Sequence, residues 1–426
     1  MLALWCTLAA SAWPGGLGRA VKKELADPGL AGAVVSVYVE NHRGRSMVDE
    51  GGDLRVVPAS TVKWVTAVAA ADTLGLDHRF RTRFAATGHL EGSTLVGDLV
   101  LIGDGDPSLG LEGPEVLLQQ VSGVLAAGGI RRVRGRLIVA SDVVGDGPLG
   151  TGWMWDDLRF TYSAPFGAVN LAHNMPHPAT LVCESVDGPA TPLVDPDACA
   201  AQVFHEAITG SGVRIEGDPI VAPRPNEVLT DLVVWESLPL RDLLRTMLQT
   251  SDNLYAESIA RALDRDGVRT FRGARESLYR VMAKAGVGTH EARLADGSGL
   301  SRYSMISGAA LVRLTRWAEE QPWGAELRDL LAVMGRSGTL EQRGRGTPAE
   351  GRVWGKTGSM SGVRNIVGVA RDAKGRPVRF AVLFNGLVVS RAVAIELQDR
   401  ILSLVTVSRG RNLRRQDRIA VTGGGG

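Results

Sequence analysis

Residues 58–71 read PASTVKWVTAVAAA, and the rest of the chain is best interpreted from this stretch outward. It opens on a proline and continues as an apolar run through Ala71, which predicts a long helix with Ser60 at or near its first turn. Lys63 follows three residues later, so its ammonium group lies on the same helix face as the Ser60 hydroxyl. A serine hydroxyl becomes a good nucleophile when a lysine beside it has its pKa lowered by burial or by another cation.

The scarcity of lysine draws attention to this pair. Of 48 basic residues, 42 are arginine, and a lysine is the one that can lose its proton and act as a base. Codon bias is the alternative explanation, and chance alone gives about 0.35 Ser-x-x-Lys matches in such a chain. The six lysines are Lys22, Lys23, Lys63, Lys284, Lys356 and Lys374.

Two further polar motifs follow in order along the chain, Ser251-Asp252-Asn253 and Lys356-Thr357-Gly358-Ser359. Taken alone, the first is typical of a helix cap and the second of a hairpin turn with an exposed cation. On a strand, however, the lysine and the threonine hydroxyl suit a carboxylate, and the glycine allows another backbone to approach. The ordered set of three motifs is specific, because serine acyl-transfer enzymes that act on penicillins carry it.

With these motifs the sequence resembles the penicillin-binding serine D-Ala-D-Ala carboxypeptidases, in particular the carboxypeptidase/endopeptidase type with a large insertion between the first two motifs. The resemblance runs from about Ala20 to Val405. Further matching stretches are Gly97-Asp98-Leu99, Gly103-Asp104-Gly105-Asp106-Pro107, Tyr162-Ser163-Ala164-Pro165, Asn170 with Asn174, Asp296-Gly297-Ser298-Gly299-Leu300-Ser301-Arg302, and Gly338-Thr339-Leu340. The stretch from Asn174 to Asp195 is shorter than the family usually has, which implies a reduced inner subdomain.

The resemblance implies a role for each motif residue. Ser60 would be the nucleophile, Lys63 its base, Ser251 the proton relay to the leaving amine, and Asn253 the residue that orients Lys63 and the substrate amide. The segment Lys356-Thr357-Gly358-Ser359 would bind the substrate, with Lys356 and Thr357 holding its terminal carboxylate. The backbone amides of Ser60 and Ser359 would form the oxyanion hole, and the Lys356 charge would keep Lys63 neutral.

The implied fold class is α+β and multi-domain. A serine-transpeptidase (β-lactamase-like) domain, with an antiparallel sheet flanked by helices, is interrupted by a mainly β inserted domain. The expected limits are a signal peptide at 1–12, the catalytic domain at 13–86 and 232–408, the insert at 87–231, and a flexible basic tail at 409–426. Patterning predicts strands at 33–39, 95–102, 133–140, 352–354, 365–371 and 378–384, and helices at 17–25, 60–71, 115–127, 232–248, 254–263, 273–285, 307–320 and 391–405.

Composition restricts the compartment and the partners. The net charge of +2 gives no broad positive field, so nucleic acid is not an expected partner. Residues 2–12 (LALWCTLAASA) resemble a secretory signal, with a buried segment as the alternative because no lysine or arginine precedes them, and export implies a periplasmic or other extracytoplasmic location. The tail, with five arginines and one aspartate, suits either weak contact with an anionic surface or a solvated disordered segment.

Cysteine and histidine usage adds two expectations. Removal of the leader leaves Cys183 and Cys199, which form either a disulfide or two buried thiols. The scattered histidines include no metal-binding spacing, so neither a metal nor a cofactor is implied. The implied partners are peptidoglycan stem peptides and β-lactams.

Two other functions compete with a DD-peptidase. A β-lactamase shares the acylation apparatus, but no Glu-x-x-x-Asn for a deacylating water follows Asn253, and the long insertion also argues against it. A catalytically idle wall-binding protein would keep the fold, but here all three motifs are intact.

The lysine assignment gives a first prediction. Lys63→Arg should abolish acylation of Ser60, because a guanidinium group does not give up its proton in a protein. Lys374→Arg is the matched control and should leave acylation unchanged. Labelling of each variant with a fluorescent penicillin measures this, and normal labelling of Lys63→Arg would contradict the assignment.

Overall fold

The computed structural model describes residues 16–142, 144–180, 182–188, 191–264 and 268–408. The predicted signal peptide and basic tail lie outside the described residues. The helices are α1 (Gly16–Leu25), α2 (Val62–Thr73), α3 (Pro114–Ala127), α4 (Pro196–Gly210), α5 (Leu240–Thr250), α6 (Asn253–Arg261), α7 (Phe271–Lys284), α8 (Gly308–Glu319), α9 (Gly324–Asp329) and α10 (Arg391–Val407).

The strands alternate with these helices along the chain. They are β1 (Val34–Glu40), β2 (Ser46–Glu50), β3 (Arg55–Val56), β4 (Arg81–Ala86), β5 (His89–Glu91), β6 (Thr94–Val96), β7 (Leu99–Ile102), β8 (Arg132–Val133), β9 (Leu137–Ala140), β10 (Arg214–Ile215), β11 (Ile220–Ala222), β12 (Thr230–Glu236), β13 (Ala292–Arg293), β14 (Met305–Ser307), β15 (Ala332–Val333), β16 (Val353–Met360), β17 (Val363–Arg371) and β18 (Pro377–Asn385).

An antiparallel sheet of six strands, in the order β15-β16-β17-β18-β1-β2, forms the centre of the catalytic half. One face packs against α2 and the helices around it, and the other packs against α1 and α10. Because both faces are covered, the central strands β17 and β18 are almost continuously apolar and buried. This is the α+β architecture that the sequence predicts.

Helix α2 lies at the centre of the larger core. Every residue from Val62 to Ala71 is buried, so this helix is apolar on all sides and has no solvent face. A single 3₁₀ turn, Ala59–Thr61, precedes it and carries Ser60. The surroundings of Ser60 are therefore set by a rigid, fully packed helix.

The insert has its own two sheets. One has five strands in the order β11-β9-β7-β4-β12, and α3 and α4 cover one of its faces. The other has four short strands, in the order β10-β8-β6-β5. Each of the predicted strands 95–102 and 133–140 is divided between the two sheets, the first at Gly97-Asp98 and the second between Val133 and Leu137.

The insert sheet extends beyond the predicted limits of 87 and 231. Strand β4 pairs with β12 antiparallel from Arg81↔Glu236 to Thr230↔Ala86, so the chain enters and leaves the insert on neighbouring strands. The predicted helix 232–248 is wrong over its first residues, which belong to β12, and α5 begins only at Leu240 after Pro239. The apolar residues of this strand continue the periodicity of the helix, and pairing with β4 overrides it.

The described residues between 174 and 195 form a loop whose regular element is the 3₁₀ turn Pro178–Thr180. The Cys183 and Cys199 sulfurs are joined in a disulfide, with their Cα atoms 5.3 Å apart, and this bond ties the loop to α4. An isolated bridge between Ser185 and Leu193 narrows the same loop. No helix among the described residues is long and apolar enough to cross a membrane.

Candidate active site

The turn before Ser60 has an unfavourable backbone conformation that other residues hold in place. Ala59 has φ +49°, which is rare for a residue with a side chain. The side-chain amide of Asn365 on β17 donates to the carbonyls of Val57 and Pro58, both at 2.9 Å. The Asn385 amide oxygen on β18 accepts from the Val57 N–H at 2.9 Å. Two asparagines of the central sheet therefore fix the segment that presents the nucleophile.

Two glycines let neighbouring backbones pack against this turn. A Cβ on Gly358 of β16 would lie 2.6 Å from the Pro58 carbonyl oxygen and 3.2 Å from the Ser60 nitrogen. A Cβ on Gly299, where φ is +80°, would lie 2.0 Å from the Ala59 carbonyl oxygen. No side chain fits at either position, so these glycines are needed for the strand and the loop to meet the turn.

The ammonium group of Lys63 is fully buried and donates to three oxygens. Its Nζ lies 2.9 Å from Ser60 Oγ, 2.5 Å from Asn253 Oδ1 and 2.7 Å from the Ser298 carbonyl oxygen. The three acceptors come from the turn before α2, the start of α6 and the loop that follows β13. The first two sequence motifs therefore meet at one nitrogen atom.

Burial lowers the pKa of Lys63 to about 8, against an ordinary value of 10.5. Three carboxylates, from Asp296, Asp252 and Glu257, act in the opposite direction and limit this decrease. Desolvation is thus the cause of the lowered pKa; of the two causes that the sequence suggested, burial and a neighbouring cation, it is burial that acts here. At pH 7 a pKa of about 8 leaves about one tenth of Lys63 unprotonated, far more than an ordinary lysine with a pKa of 10.5, which suits a base.

Lys356, in the third motif, is fully buried on β16. Its Nζ donates to Ser251 Oγ at 2.9 Å and to the Thr357 carbonyl oxygen at 2.8 Å. Burial first, and then repulsion by Lys63, lowers its pKa well below the ordinary value. A carboxylate arriving next to this nitrogen would restore its positive charge, because an anion favours the protonated form.

A buried carboxylate, Asp296, organises the loop that contacts Lys63. It accepts from the Gly299 and Ser301 N–H groups at 3.0 and 2.7 Å, and from the Ser298 hydroxyl at 3.0 Å. Burial, and then the nearby charge of Glu257, raises the pKa of Asp296 to about 6. This loop, one of the stretches in which the sequence matches the family, therefore fixes the carbonyl that receives a hydrogen bond from Lys63.

Glu257 supports the same loop from α6. Its Oε1 accepts from the Gly297 and Ser298 N–H groups at 3.0 and 2.9 Å, while Oε2 is paired with the buried guanidinium of Arg261. Arg261 also contacts Asp146 of the insert, with a separation of 3.4 Å. A buried ionic chain thus runs from the insert to the carbonyl beside Lys63.

The insert also contacts the second motif directly. The Asn253 side-chain amide donates to the Tyr162 carbonyl at 2.7 Å, which fixes Asn253 with its oxygen towards Lys63. His173 Nε2 lies 2.7 Å from Asp252 Oδ2, and Asp252 also caps α6 through the Tyr255 N–H. The insert therefore forms one wall of the site and orients the Ser-x-Asn motif.

Two cavities open beside Ser60, and both are lined by Ser60, Ser251 and Ser359. The larger, of about 310 Å³, extends to Asp157, Tyr162, Asn253, Gly299, Leu300, Arg302, Met360 and Ser361. The smaller, of about 170 Å³, extends to Thr339, Arg343, Thr357, Arg364, Asn365, Arg391, Ile395 and Gln398. A linear substrate can therefore occupy space on both sides of the nucleophile.

The structure brings together every predicted site residue, namely Ser60, Lys63, Ser251, Asn253, Lys356, Thr357, Gly358 and Ser359. Sequence reasoning missed the supporting residues Asn365, Asn385, Glu257 and His173. Asn365 and Asn385 left a signal, since each is the one amide side chain in a mostly apolar strand. His173 left none, because its partner Asp252 is remote in sequence. Among the described residues no group of histidine, cysteine, aspartate and glutamate side chains could hold a metal ion.

A helix-borne serine bonded to a buried lysine, facing a Lys-Thr-Gly edge strand, defines a penicillin-binding serine enzyme of the β-lactamase-like fold. The chain belongs to the D-Ala-D-Ala carboxypeptidase 3 (S13) family, whose model matches residues 17–191 and 183–407.

Individual relatives agree with this assignment. The chain is 30% identical to the D-alanyl-D-alanine carboxypeptidase of Actinomadura sp. (strain R39), over 88% of this chain and 83% of that protein. It is 30% identical to Carboxypeptidase DacB of Mycolicibacterium smegmatis, over 91% and 84% of the two chains. The crystal structure of penicillin binding protein 4 (dacB) from Haemophilus influenzae superposes with a TM-score of 0.80 at 24% identity, and covers 90% of this chain and 98% of that one.

The pKa of Lys63 predicts a pH profile. If the unprotonated amine takes the Ser60 proton, the second-order rate constant for penicillin acylation should fall about tenfold per pH unit below pH 8 and level off above it. Stopped-flow or quenched labelling between pH 6 and 9.5 measures this dependence. A rate constant that stays flat across this range would show that Lys63 is not the titrating base.

The His173–Asp252 pair predicts a pH-dependent contribution to stability. Burial opposes the charge on His173, but the hydrogen bond to Asp252 and the negative charge of Asp252 together outweigh it and raise the His173 pKa above 6.5. Burial also opposes ionisation of Asp252, yet His173 lowers the Asp252 pKa below 3.8. The pair therefore stabilises the fold most between about pH 4 and 6.5; its contribution is lost at higher pH as His173 deprotonates, and at lower pH as Asp252 protonates.

His173→Asn removes this pair, and asparagine tolerates the φ of +60° at this position. The free energy of unfolding should fall by about 1–2 kcal/mol at pH 5 and by much less at pH 8.5. Urea unfolding at both pH values tests this, with His290→Asn, an exposed histidine, as the control. An equal loss at both pH values would show that packing, and not the ion pair, carries the effect.

Proposed function

We propose that the chain is a serine-type D-Ala-D-Ala carboxypeptidase and DD-endopeptidase that acts on peptidoglycan stem peptides through an acyl-enzyme on Ser60, and that β-lactams acylate the same hydroxyl. The observation that carries the proposal is the 2.9 Å hydrogen bond between Ser60 Oγ and the buried, easily deprotonated Lys63 amine. The names of the family and of the Actinomadura relative support the substrate class.

Acylation begins with proton transfer. The neutral Lys63 amine takes the proton of the Ser60 hydroxyl, while Ser60 Oγ attacks the carbonyl carbon of the penultimate D-alanine. A C–O bond forms, and the carbonyl π electrons move onto its oxygen. Asn253 holds the Lys63 nitrogen in line at 2.5 Å, so little reorganisation precedes the transfer.

The oxyanion and the leaving group need separate partners. The Ser60 N–H and the Ser359 N–H stabilise the negative oxygen, an arrangement supported by the close approach of β16 to the Ser60 turn at Gly358. Ser251 relays to the departing amine, as the C–N bond breaks, the proton that Lys63 took from Ser60, so the Lys63 amine is neutral again before water attacks. Lys356 Nζ, 2.9 Å from Ser251 Oγ, orients the Ser251 hydroxyl and keeps its own proton.

Lys356 and Thr357 hold the terminal carboxylate of the substrate. Two hydroxyls, Thr357 Oγ1 and Thr339 Oγ1, lie 2.8 Å apart at this end of the cleft. Water then attacks the acyl-enzyme with Lys63 again as the base, which releases the shortened peptide and restores Ser60.

We also propose that the protein works outside the cytoplasm. Its substrate is a wall polymer, and disulfides such as Cys183–Cys199 are typical of proteins that mature in an oxidising compartment. The leader-like residues 2–12 and the basic tail belong to the same proposal. The basic tail, residues 409–426, is the part of the exported protein that would make weak contact with an anionic surface. No nucleic-acid partner is proposed.

The test uses purified protein and a synthetic peptide that ends in D-Ala-D-Ala. We expect release of D-alanine, a mass increase of one benzylpenicillin on the peptide that contains Ser60, and no release or adduct in Ser60→Ala. Cross-linked muropeptides report the endopeptidase step in the same assay. An adduct at another residue would overturn the Ser60 assignment, rapid nitrocefin turnover would indicate a β-lactamase, and binding of muropeptides without D-alanine release would indicate an idle wall-binding protein.

A further inference from the structure

The smaller cavity beside Ser60 has a strongly cationic far end. This cavity lies on the Thr357 side of the site, where the proposed function places the departing group of the substrate. Its charged lining residues are Arg343, Arg364 and Arg391, and no acidic residue of the described chain lines it. Arg343 is neutralised, because its guanidinium pairs with Asp399 at 2.6 Å.

The other two arginines have no carboxylate partner within the described ranges. Arg364 Nη1 donates to the uncharged carbonyls of Met360 and Val363, both at 2.6 Å. Its Nε is buried and makes no hydrogen bond to any described atom. Arg391, the first residue of α10, forms no ion pair with any residue that the structure describes. Burial, and then the charge of Arg391, lowers the pKa of Arg364, so the two guanidiniums repel each other across the cavity.

A charge count shows what would fill this space. One substrate carboxylate beside Lys356 and Thr357 balances the positive charge of Lys356. The positive charges of Arg364 and Arg391 remain unbalanced. An anion that joins two neighbouring guanidiniums, one of which has an unused buried N–H, relieves their repulsion, and a carboxylate offers the bidentate geometry that arginine prefers.

We propose that Arg364 and Arg391 form a subsite for a second carboxylate on the leaving group, so that the enzyme prefers leaving groups that are amino dicarboxylic acids. This inference rests on the proposed function. It adds a specificity for the departing residue, whereas Lys356 and Thr357 recognise only the carboxylate that every such substrate has. In a cross-linked substrate, the leaving residue would then be chosen by its remaining acid group.

The experiment compares two synthetic peptides with the same acyl half, one ending in D-Ala-D-Ala and the other in D-Ala-D-Glu. For the unaltered protein kcat/KM should be higher for the D-Glu peptide by about tenfold or more, the range expected of one charge-assisted contact. In the double variant Arg364→Gln/Arg391→Gln this preference should disappear, so that kcat/KM becomes equal for the two peptides. Arg131→Gln, an exposed arginine of the insert, should keep the preference.

Each other outcome overturns the subsite. If the unaltered protein shows no preference, or if the double variant keeps it, the arginines do not recognise a second carboxylate. If both peptides lose rate equally in the double variant, the arginines serve the shared terminal carboxylate. Labelling by a fluorescent penicillin confirms in each case that the variant is folded and acylated at Ser60. Failure of that labelling and of D-alanine release in the unaltered protein would instead overturn the proposed function.

Discussion

The burial of a lysine ammonium group without a carboxylate in direct contact is the constraint on which this structure depends. Lys63 is shielded from water, and its hydrogen bonds reach a residue three positions away and others 190 and 235 positions away. A buried, unpaired charge is costly, and the group responds by releasing its proton more readily. The fold therefore lowers the pKa of this amine by withholding solvent, and it can do so only when distant parts of the chain close around one nitrogen.

Three carboxylates near Lys63 limit how far its pKa falls. Asp252, Asp296 and Glu257 lie close enough to prevent the Lys63 pKa from falling further, but each is occupied by other donors. Glu257 is committed to Arg261, Asp252 to His173, and Asp296 to the backbone of its loop. Because each carboxylate is bound to these other partners, none of them forms a salt bridge with Lys63. Such a salt bridge would raise the Lys63 pKa.

The sequence points to the residues that the structure brings together in the site, but not to the residues that support them. Ser60 and Lys63 were found because helix periodicity fixes their relative position, and Lys356-Thr357-Gly358 because an ordered set of motifs is rare by chance. Asn365 and His173 act through contacts between remote segments, which one sequence without homologues does not encode in a readable pattern. The sequence left open whether burial or the Lys356 charge would dominate the Lys63 pKa, since desolvation depends on everything that packs around the group.

The secondary-structure prediction is wrong where a strand directly precedes a helix and the apolar residues of both fit one helical periodicity. Residues 232–236 look like the first turn of the following helix, and only the antiparallel partner β4 makes them a strand. The two cysteines could not be assigned from spacing, because the Cα separation depends on how the loop from 174 to 195 folds back onto α4.

The pairing of Arg81 with Glu236 has an evolutionary consequence. Since the chain leaves and re-enters the catalytic half on adjacent strands, the whole insert is topologically a single closed loop, and an exchange of this unit would leave the central sheet in register. Chemistry restricts that freedom, because any replacement must supply an acceptor for the Asn253 amide and a partner for Asp252. The insert could thus be exchanged as a unit of the chain, but its few contacts with the active site would have to be kept.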